Sequence, residues 1–355
     1  MEKILITGGA GFVGSSLALR FKQSRPDAQV IAFDNLRRRG SELILPRLRA
    51  GGVTFVHGDV RVREDVLAVG DVRLIVDCAA EPSVLAGIGE APDYVIQTNL
   101  NGTVHCLELA RRCKADVVFL STSRVYPAAP INGLRYAEGE TRFVLAEQQD
   151  VPGASGRGVA ETFPLDGVRS LYGASKLASE LLVQEYRAAY DVRAIIDRCG
   201  VLTGPWQMGK VDQGVVVLWV ARHVYGGRLS YIGFGGSGKQ VRDVLHVQDL
   251  FDLLQLQLAR IAELDGEVFN VGGGPEISVS LRELTDLCRR HTGSTIPIDA
   301  VGEDRPNDLI CYLSDCRKVT AATGWRPRIG TEEIVAEIAR WITDHHEQLR
   351  PVLAS

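Results

Sequence analysis

The stretch Thr7–Gly14, TGGAGFVG, decides the fold. It follows a predicted strand at Lys3–Thr7 (KILIT) and opens a predicted helix at Phe12–Lys22. Glycines in that setting permit a tight turn and a close approach to a pyrophosphate, while the helix N-terminus offers free N–H groups and the positive end of its dipole. The alternative, a plain tight turn before a helix, is disfavoured by the strand and the spacing. We therefore predict a dinucleotide site that includes Gly8, Gly11, Phe12 and Val13.

The first half of the chain alternates short apolar runs with helical patterns. Continuous apolar strands that alternate with helices predict an α/β fold, a doubly wound parallel sheet of the Rossmann type covered on both faces. The predicted strands that follow the first are Gln29–Phe33, Thr54–His57, Leu74–Cys78, Val117–Leu120 and Arg193–Asp197. The predicted long helices are Asp93–Cys113 and Tyr172–Tyr190.

The amino-acid composition changes near residue 203, where Gly and Pro become frequent. Helical patterns persist at Val247–Ile261, Leu281–Thr292 and Glu332–His345. We predict a nucleotide-binding domain over residues 1–202 and a smaller α/β substrate domain over residues 203–355. Strands are expected to be shared between the two, so the division is approximate.

Composition excludes several classes of protein. The 355 residues are 45% hydrophobic and 24% charged, which is typical of a globular protein with a sizeable core. A net charge of −4 gives no reason to expect nucleic-acid binding. The seven cysteines form no C-x-x-C pair and no run approaches the roughly 20 apolar residues of a membrane span, so we expect a cytoplasmic protein with reduced thiols and no membrane partner.

Asp34 ends the second predicted strand, 20 positions after Gly14. An acid at this place accepts hydrogen bonds from the adenosine ribose hydroxyls and repels a 2′-phosphate, which favours NAD over NADP. The run Arg37-Arg38-Arg39 is a complication, because it could attract that phosphate or could be a solvated loop. Four further residues are predicted to contact the cofactor: Asp59 and Val60 after the third strand, and Ala79 and Ala80 after the fourth. Each is weak evidence alone, but their order along the chain strengthens the prediction.

Tyr172 and Lys176, in Tyr172-Gly173-Ala174-Ser175-Lys176, lie one turn apart on a helical face. A nearby ammonium favours the phenolate, and a free tyrosine with a pKa of about 10 needs such help to act as a base near neutrality. A lone match to this spacing indicates an ordinary helix with an exposed Lys and a half-buried Tyr. Because the glycine motif lies upstream, we instead favour a catalytic pair.

Taken together, these motifs resemble the extended short-chain dehydrogenases that act on nucleotide sugars, over nearly the whole chain. Finer matches resemble the CDP-paratose (CDP-tyvelose) 2-epimerases: they are Ala79–Ser83 (AAEPS), Asn99–Thr103 (NLNGT), Ser121–Tyr126 (STSRVY), Ser170–Lys176 (SLYGASK), Leu202–Pro205 (LTGP) and Gln240–Asp243 (QVRD). The chain departs from the family pattern at Glu81, where Gln is usual, at Pro127, where Gly is usual, and at Asp77, where His is usual. The long loop Ala128–Asp166 has no evident match.

The resemblance implies reversible oxidation of a nucleotide-diphosphate sugar, with a CDP-sugar favoured and NAD retained. It implies Tyr172 as the base, Lys176 as the group that lowers the tyrosine pKa and holds the nicotinamide ribose, and Thr122 as the hydrogen-bond donor to the reacting oxygen. It further implies cofactor contacts at Asn35 and Asn99, and substrate contacts at Glu81, Ser123, Arg242 and Arg305. The alternative for the two arginines is ion pairing with Asp243 or Asp308.

Three functions remain open on these residues. A C2 epimerase leads, a UDP-hexose 4-epimerase uses the same three groups, and a non-catalytic NAD-binding sensor would keep the glycines alone. Family dehydratases carry Asp-Glu after the Thr, where this chain has Ser123 and Arg124. No metal site is expected, because His57, His105 and His223 have no carboxylate or Cys at ligand spacing. The family's pairing through two long helices implies a homodimer.

Overall fold

The computed structural model describes residues 2–209 and 213–354, which form two compact units. The first unit comprises Met1–Val125, Ser170–Arg198 and Phe251–Phe269, and the second comprises Tyr126–Arg169, Cys199–Leu250 and Asn270–Ser355. This partition differs from a single division at residue 202. Residues 126–169 join the second unit and residues 251–269 join the first, because segments that are distant in sequence pack into one core.

The described residues contain the following strands and helices. The strands are β1 Lys3–Thr7, β2 Gln29–Asp34, β3 Thr54–His57, β4 Leu74–Asp77, β5 Asp116–Thr122, β6 Tyr136–Glu138, β7 Phe143–Leu145, β8 Ala154–Ser155, β9 Gly158–Val159, β10 Ala194–Cys199, β11 Val201–Thr203, β12 Leu229–Ile232, β13 Val241–His246, β14 Val268–Val271, β15 Ser278–Ser280, β16 Ile298–Val301 and β17 Cys311–Tyr312. The helices are α1 Phe12–Ser24, α2 Leu45–Ala50, α3 Arg63–Ala68, α4 Asp93–Ile96, α5 Gly102–Cys113, α6 Ala128–Asn132, α7 Leu171–Tyr190, α8 Val215–Tyr225, α9 Val247–Ala259, α10 Leu281–Thr292, α11 Arg317–Thr323, α12 Thr331–Asp344 and α13 His346–Leu353.

A seven-stranded parallel sheet forms the framework of the first unit, and it confirms the predicted doubly wound fold. Its strand order is β3-β2-β1-β4-β5-β10-β14, with β1 paired in parallel to β2 and β4. The central strands are buried on both faces, as the continuous apolar runs predict. The order reverses between β1 and β4, which is the switch point where open α/β sheets bind ligands at the carboxyl ends of their strands.

The predicted helix Asp93–Cys113 is not uniform. A π-helical turn at Gln97–Asn101 separates α4 from α5. The carbonyl oxygen of Asn99 accepts hydrogen bonds from the hydroxyls of Thr103 and Ser179, at 3.0 and 2.9 Å. A π turn releases carbonyl groups from the regular helical ladder, and here side-chain hydroxyls take up the released acceptor.

The second unit is built around β13, which pairs with β11, β15 and β17. Helices α8, α10 and α12 pack on one another beside it. The unmatched loop holds α6 and the hairpins β6–β7 and β8–β9, and Val159 bridges to Ser314. Within the described ranges, no helix has the length and apolarity that a membrane crossing requires.

Candidate active site

Thr7 ties the ends of β1 and β4 together. Its hydroxyl donates to Asp77 Oδ1 at 2.7 Å and accepts from the N–H groups of Cys78 and Ala79 at 3.1 Å. The second oxygen of Asp77 accepts from Thr103 at 2.8 Å. Asp77, which replaces the His of the resembling enzymes, is thus a buried structural acceptor. These hydrogen bonds hold Ala79 beside the glycine turn.

The glycine turn has the geometry of a nucleotide cradle. Gly8 has a φ of 61°, in the left-handed region that favours glycine, and its carbonyl accepts the N–H of Gly11 at 2.9 Å. A Cβ at Gly14 would lie 2.2 Å from that same carbonyl. Among the described residues no side chain caps the N-terminus of α1. The first N–H groups of the helix, which include those of Phe12 and Val13, are therefore available to an anion.

Asp34 closes the other side of the cradle, at the end of β2. Its Oδ2 accepts the N–H of Ala10 at 3.1 Å and its Oδ1 accepts that of Leu36 at 2.7 Å. Burial raises the pKa of Asp34, and these backbone hydrogen bonds oppose the rise. Because a carboxylate has about four acceptor positions, the oriented group retains capacity for a ribose hydroxyl.

Asn35 and Asp59 form a second polar pair beside Asp34. Asn35 Nδ2 donates to Asp59 Oδ2 at 2.9 Å, and Arg61 grips the same carboxylate with Nε at 3.0 and 3.1 Å. Partial burial alone would raise the pKa of Asp59, but the hydrogen bonds from Arg61 and Asn35 outweigh it and lower that pKa to about 2. Val60, the next residue, is buried.

Arg37, the first residue of the arginine run, lies against an aromatic ring. Its guanidinium carbon is 3.8 Å from the ring centroid of Tyr94, and that of Arg61 is 4.8 Å from the same centroid. Cation–π contact of this kind holds an arginine over a ring face. It gives Arg37 a partner other than a phosphate.

Tyr172 and Lys176 occupy the first turns of α7. Ser170 caps this helix by accepting the N–H of Gly173 at 3.2 Å. Tyr172 is half-buried. Lys176 is only 1% exposed, and its ammonium lies 3.8 Å from the ring centroid of Phe119 in β5.

Thr122 is the last residue of β5, and α7 packs against this strand and the 3₁₀ turn Ser123–Val125 that follows it. Thr122 and Ser123 are buried, and Thr122 Oγ1 accepts the N–H of Arg124 at 3.2 Å. The first unit therefore contains the glycine turn, Asp34, Thr122, Tyr172 and Lys176.

Asn99 connects the π turn to α7 and to the loop after Ala80. Its side chain donates to Ser175 Oγ at 3.0 Å and to the carbonyl of Glu81 at 3.1 Å, and it accepts the N–H of Glu81 at 2.8 Å. Ser175 in turn donates to the carbonyl of Tyr172 at 2.9 Å. The carboxylate of Glu81 accepts the N–H of Ser83 at 3.2 Å, so it stabilises its own loop.

Arg242 and Arg305 belong to the second unit. Arg242 forms an ion pair with Asp308, with Nη2 and Oδ1 2.6 Å apart, which is one of the two pairings anticipated from sequence. Asp243 is not a partner in that pair. It is fully buried and accepts the N–H groups of Gly274 and Ser314, at 3.2 and 3.1 Å.

Sequence reasoning missed three buried polar residues next to the candidate catalytic groups. Ser121, Glu180 and Arg198 form a connected cluster in the first unit. The signal for Glu180 was present, because it follows Lys176 by four residues on the same helix face. Nothing local indicated that Ser121 and Arg198 are its partners.

The family model described as "NAD dependent epimerase/dehydratase family" matches residues 4–272. The chain belongs to this family. The cradle fits the cofactor that the family name states. The glycines leave room that a Cβ would fill, and the N-terminus of α1 is open to a pyrophosphate. Backbone N–H groups orient the carboxylate of Asp34. NAD is the cofactor, as the sequence predicted.

Two curated relatives match over almost their whole lengths. CDP-paratose 2-epimerase of Salmonella typhi is 30% identical over 352 residues, covering 96% of this chain and 98% of that enzyme. dTDP-glucose 4,6-dehydratase of Streptomyces niveus is 29% identical over 359 residues, covering 99% and 95%. Since the two identities are nearly equal, overall similarity does not choose between epimerase and dehydratase.

A solved structure confirms the fold. The dTDP-glucose 4,6-dehydratase of Bacillus anthracis in complex with NAD superimposes with a TM-score of 0.77 and 27% identity, covering 99% of this chain and all of that one. The protein is therefore an enzyme of the NAD-dependent epimerase/dehydratase family, and it has the fold of that family. In the described ranges, no three His, Cys, Asp or Glu side chains are grouped to hold a metal ion.

Proposed function

We propose that the protein is an NAD-dependent epimerase of a nucleotide-diphosphate sugar, acting at C2 of a CDP-deoxyhexose. The observation that carries the proposal is a Thr-Tyr-Lys set whose Thr122 is followed by Ser123 and Arg124. Dehydration requires an acid to protonate the leaving hydroxyl, and neither residue after Thr122 is a carboxylic acid. The match to a CDP-paratose 2-epimerase supports the C2 position and the CDP group.

The proposed roles follow from where the groups lie. Tyr172, at the open start of α7, accepts the proton of the sugar hydroxyl. Lys176, one turn below and enclosed, supplies the positive charge that favours the phenolate. The Thr122 hydroxyl donates to the reacting oxygen, whose charge changes during the reaction. The glycine turn and Asp34 would hold NAD, which would supply the hydride acceptor for the sugar carbon and the hydride donor for the ketone once the sugar has turned.

The proposed substrate contacts divide between an anchor and a loose pocket. Arg242 and Arg305 are proposed to bind the diphosphate, because guanidinium groups hold phosphate oxygens bidentately. Arg242 would then exchange or share its pairing with Asp308. Glu81 and Ser123 are proposed to face the sugar, which must be held loosely enough to turn.

The decisive experiment incubates the pure protein with CDP-, UDP- and GDP-sugars in deuterium oxide and identifies the products by NMR. We expect epimerisation of a CDP-sugar at C2, with the original hydrogen retained on that carbon and no net NADH. Hydride return keeps that hydrogen, whereas removal and return of a proton would introduce deuterium. Deuterium at C2, or accumulation of NADH, would contradict the proposal.

A matched pair of variants tests the role of Tyr172. Tyr172→Phe is expected to lose turnover by at least about 100-fold while it still binds NAD, since general base catalysis contributes factors of about 10² to 10⁴. Tyr190→Phe, on the exposed end of the same helix, is expected to behave as the unaltered protein. Full activity in Tyr172→Phe would remove the basis of the mechanism.

Two other functions are distinguished by the same measurements. Interconversion of UDP-hexoses at C4, with no action on CDP-sugars, would identify a 4-epimerase, which uses the same three groups. NAD binding without turnover of any sugar would indicate a sensor. The presence of Tyr172, Lys176 and Thr122 together favours an enzyme over a sensor.

We also propose a homodimer that pairs through α5 and α7. Leu181 of α7 is a large apolar side chain that is 56% exposed. A second copy of the chain would cover it.

A further inference from the structure

Glu180 is a buried carboxylate one helical turn beyond Lys176. Residues four apart share a helix face, so Tyr172, Lys176 and Glu180 form one stripe along α7. Glu180 is 1% exposed. A carboxylate is rarely enclosed to that degree unless it is paired.

Two neighbouring strands supply its partners. Ser121 in β5 donates its hydroxyl to Glu180 Oε1. Arg198 in β10 donates Nε to both carboxylate oxygens, at 3.0 and 3.1 Å, and Nη2 to Oε2 at 2.7 Å. Since β5 and β10 are adjacent in the sheet, one carboxylate joins α7 to two adjacent strands.

The contacts repeat along both elements. Phe119 and Ser121 lie on one face of β5, because side chains alternate along a strand. Phe119 meets the ammonium of Lys176, and Ser121 meets the carboxylate of Glu180. Two successive positions of the strand face therefore engage two successive turns of the helix stripe. Such pairing resists both rotation and sliding of α7 against β5.

We propose that Glu180 is a positioning residue for the reaction. It holds α7 against β5 and thereby fixes where Tyr172 and Lys176 lie relative to Thr122, the residue that follows Ser121 at the end of the strand. The proposal rests on the proposed function for the roles of these three groups. A buried ion pair is weak evidence for stability, whereas its directed hydrogen bonds define a geometry.

The test replaces the polar cluster by apolar side chains of similar size, Ser121→Ala with Glu180→Leu and Arg198→Met. Replacing every member leaves no buried charge without a partner, and such exchanges are often neutral for stability. The matched control is Asp116→Leu with Arg193→Met. This pair joins the first residue of β5 to the residue that precedes β10, with Nε and Oδ1 2.7 Å apart.

We expect kcat of the triple variant to fall by about 10- to 100-fold, because a misplacement near 1 Å can cost that much. Substrate KM and NAD affinity are expected to stay within about twofold. The control is expected to keep kcat within about twofold. Thr122→Ala is expected to cost less in the triple variant than in the unaltered protein, since the cluster acts through the alignment of Thr122.

Wild-type kcat in a folded triple variant would overturn the proposal. So would an equal cost of Thr122→Ala in both backgrounds, which is the result expected of a cluster that serves stability alone. If the triple variant does not fold, Ser121→Ala is measured alone, because it leaves the Glu180–Arg198 pair in place. A loss of several-fold in kcat supports the proposal, and unchanged kcat overturns it.

A structural comparison separates this proposal from the function on which it rests. If the unaltered protein turns over no nucleotide sugar, the proposed function fails by itself. Crystal structures of the unaltered protein and of the triple or Ser121→Ala variant then decide the role of Glu180. A longer or variable distance between Tyr172 Oη and Thr122 Oγ1 in the variant supports positioning, and an unchanged distance overturns it.

Discussion

At the residue scale, Asp197 is a buried acid on β10 that the proposed chemistry does not use. Its Oδ1 accepts the side-chain N–H of Gln257 at 2.7 Å. Burial raises the pKa of Asp197 to about 7, against the partial opposition of that hydrogen bond. The folded protein therefore holds a proton that the unfolded chain has released above its ordinary pKa near 4.

This proton makes stability depend on pH. Between about pH 4 and pH 7 the folded state binds more protons than the unfolded state, so the free energy of unfolding falls as the pH rises through that window. Asp197→Asn removes this dependence. In urea unfolding, the free energy of unfolding of the variant should rise relative to that of the unaltered protein by a few kcal/mol between about pH 4.5 and pH 8. The size follows from about 1.4 kcal/mol per unit of pKa shift.

The control for this measurement is Asp27→Asn, an exposed turn position. It measures the effect of exchanging a carboxyl for an amide at a position open to solvent. A difference for Asp197→Asn that is constant with pH would show that Asp197 is ionised in the folded state.

Asp34 is the residue that should set the choice of cofactor. Asp34→Ser is expected to weaken NAD binding by about 10- to 100-fold, because charge-assisted hydrogen bonds contribute about 1.5–3 kcal/mol each. NADP binding should weaken less or improve, since the repelling charge is gone. Isothermal titration of both cofactors measures the ratio. An unchanged preference for NAD would assign the selection to residues other than Asp34.

At the scale of elements, the glycine turn is sensitive to a single methyl group. Gly14→Ala would improve the helix propensity of α1 by about 1 kcal/mol. The new Cβ would, however, lie 2.2 Å from the carbonyl oxygen of Gly8, which is backbone and cannot move aside. We expect the clash to dominate, with a net loss of about 1–3 kcal/mol in the free energy of unfolding and weaker NAD binding.

Thermal unfolding with and without NAD measures this effect. The control is Gly302→Ala, directly after β16, where none of the described residues lies within 4 Å of an added Cβ. It should unfold near the temperature of the unaltered protein. A Gly14→Ala variant as stable as this control would mean that the turn relaxes at little cost.

The elements that sequence predicted well are those with a strong local pattern. The bounds of β1 and the start of α1 follow from KILIT and the glycine run, and α10 begins and ends as its apolar period predicts. The π turn at Gln97–Asn101 was not predicted, because one partner of the Asn99 carbonyl, the hydroxyl of Ser179, lies 80 residues away. The strands of the second unit were also harder to predict, since strands of two to four residues such as β17 show almost no periodicity in the sequence.

The candidate site divides in the same way. Tyr172, Lys176 and the glycines follow from local spacing, and Asp34 from its place after a strand. The partners of Glu180 and Arg242 depend on which strands are neighbours, and Asp308 lies 66 residues from Arg242. Sequence alone therefore left that ion pair as one of several alternatives.

At the scale of the whole molecule, the proposed dimer gives a direct prediction. Leu181→Glu places a charge at the centre of the exposed side of α7 and should shift the protein from dimer to monomer, because a buried unpaired charge strongly opposes association. Sedimentation velocity measures the change. Leu256→Glu, at a 41% exposed leucine of α9, should leave the dimer intact. A monomeric unaltered protein, or equal effects of both changes, would exclude this interface.

The interleaved order of the two units has a consequence for synthesis on the ribosome. The strand β10 is complete at Cys199, but its outer neighbour is made from residues near Gly266 and Glu267, whose backbone groups bond to Ala194 and Ile196. At a rate of about 5–20 residues per second, roughly 3 to 14 s pass between the emergence of Cys199 from the tunnel and that of these residues. During that interval a nascent chain displays an unsatisfied strand edge, the kind of surface that chaperones shield and that invites association with other chains.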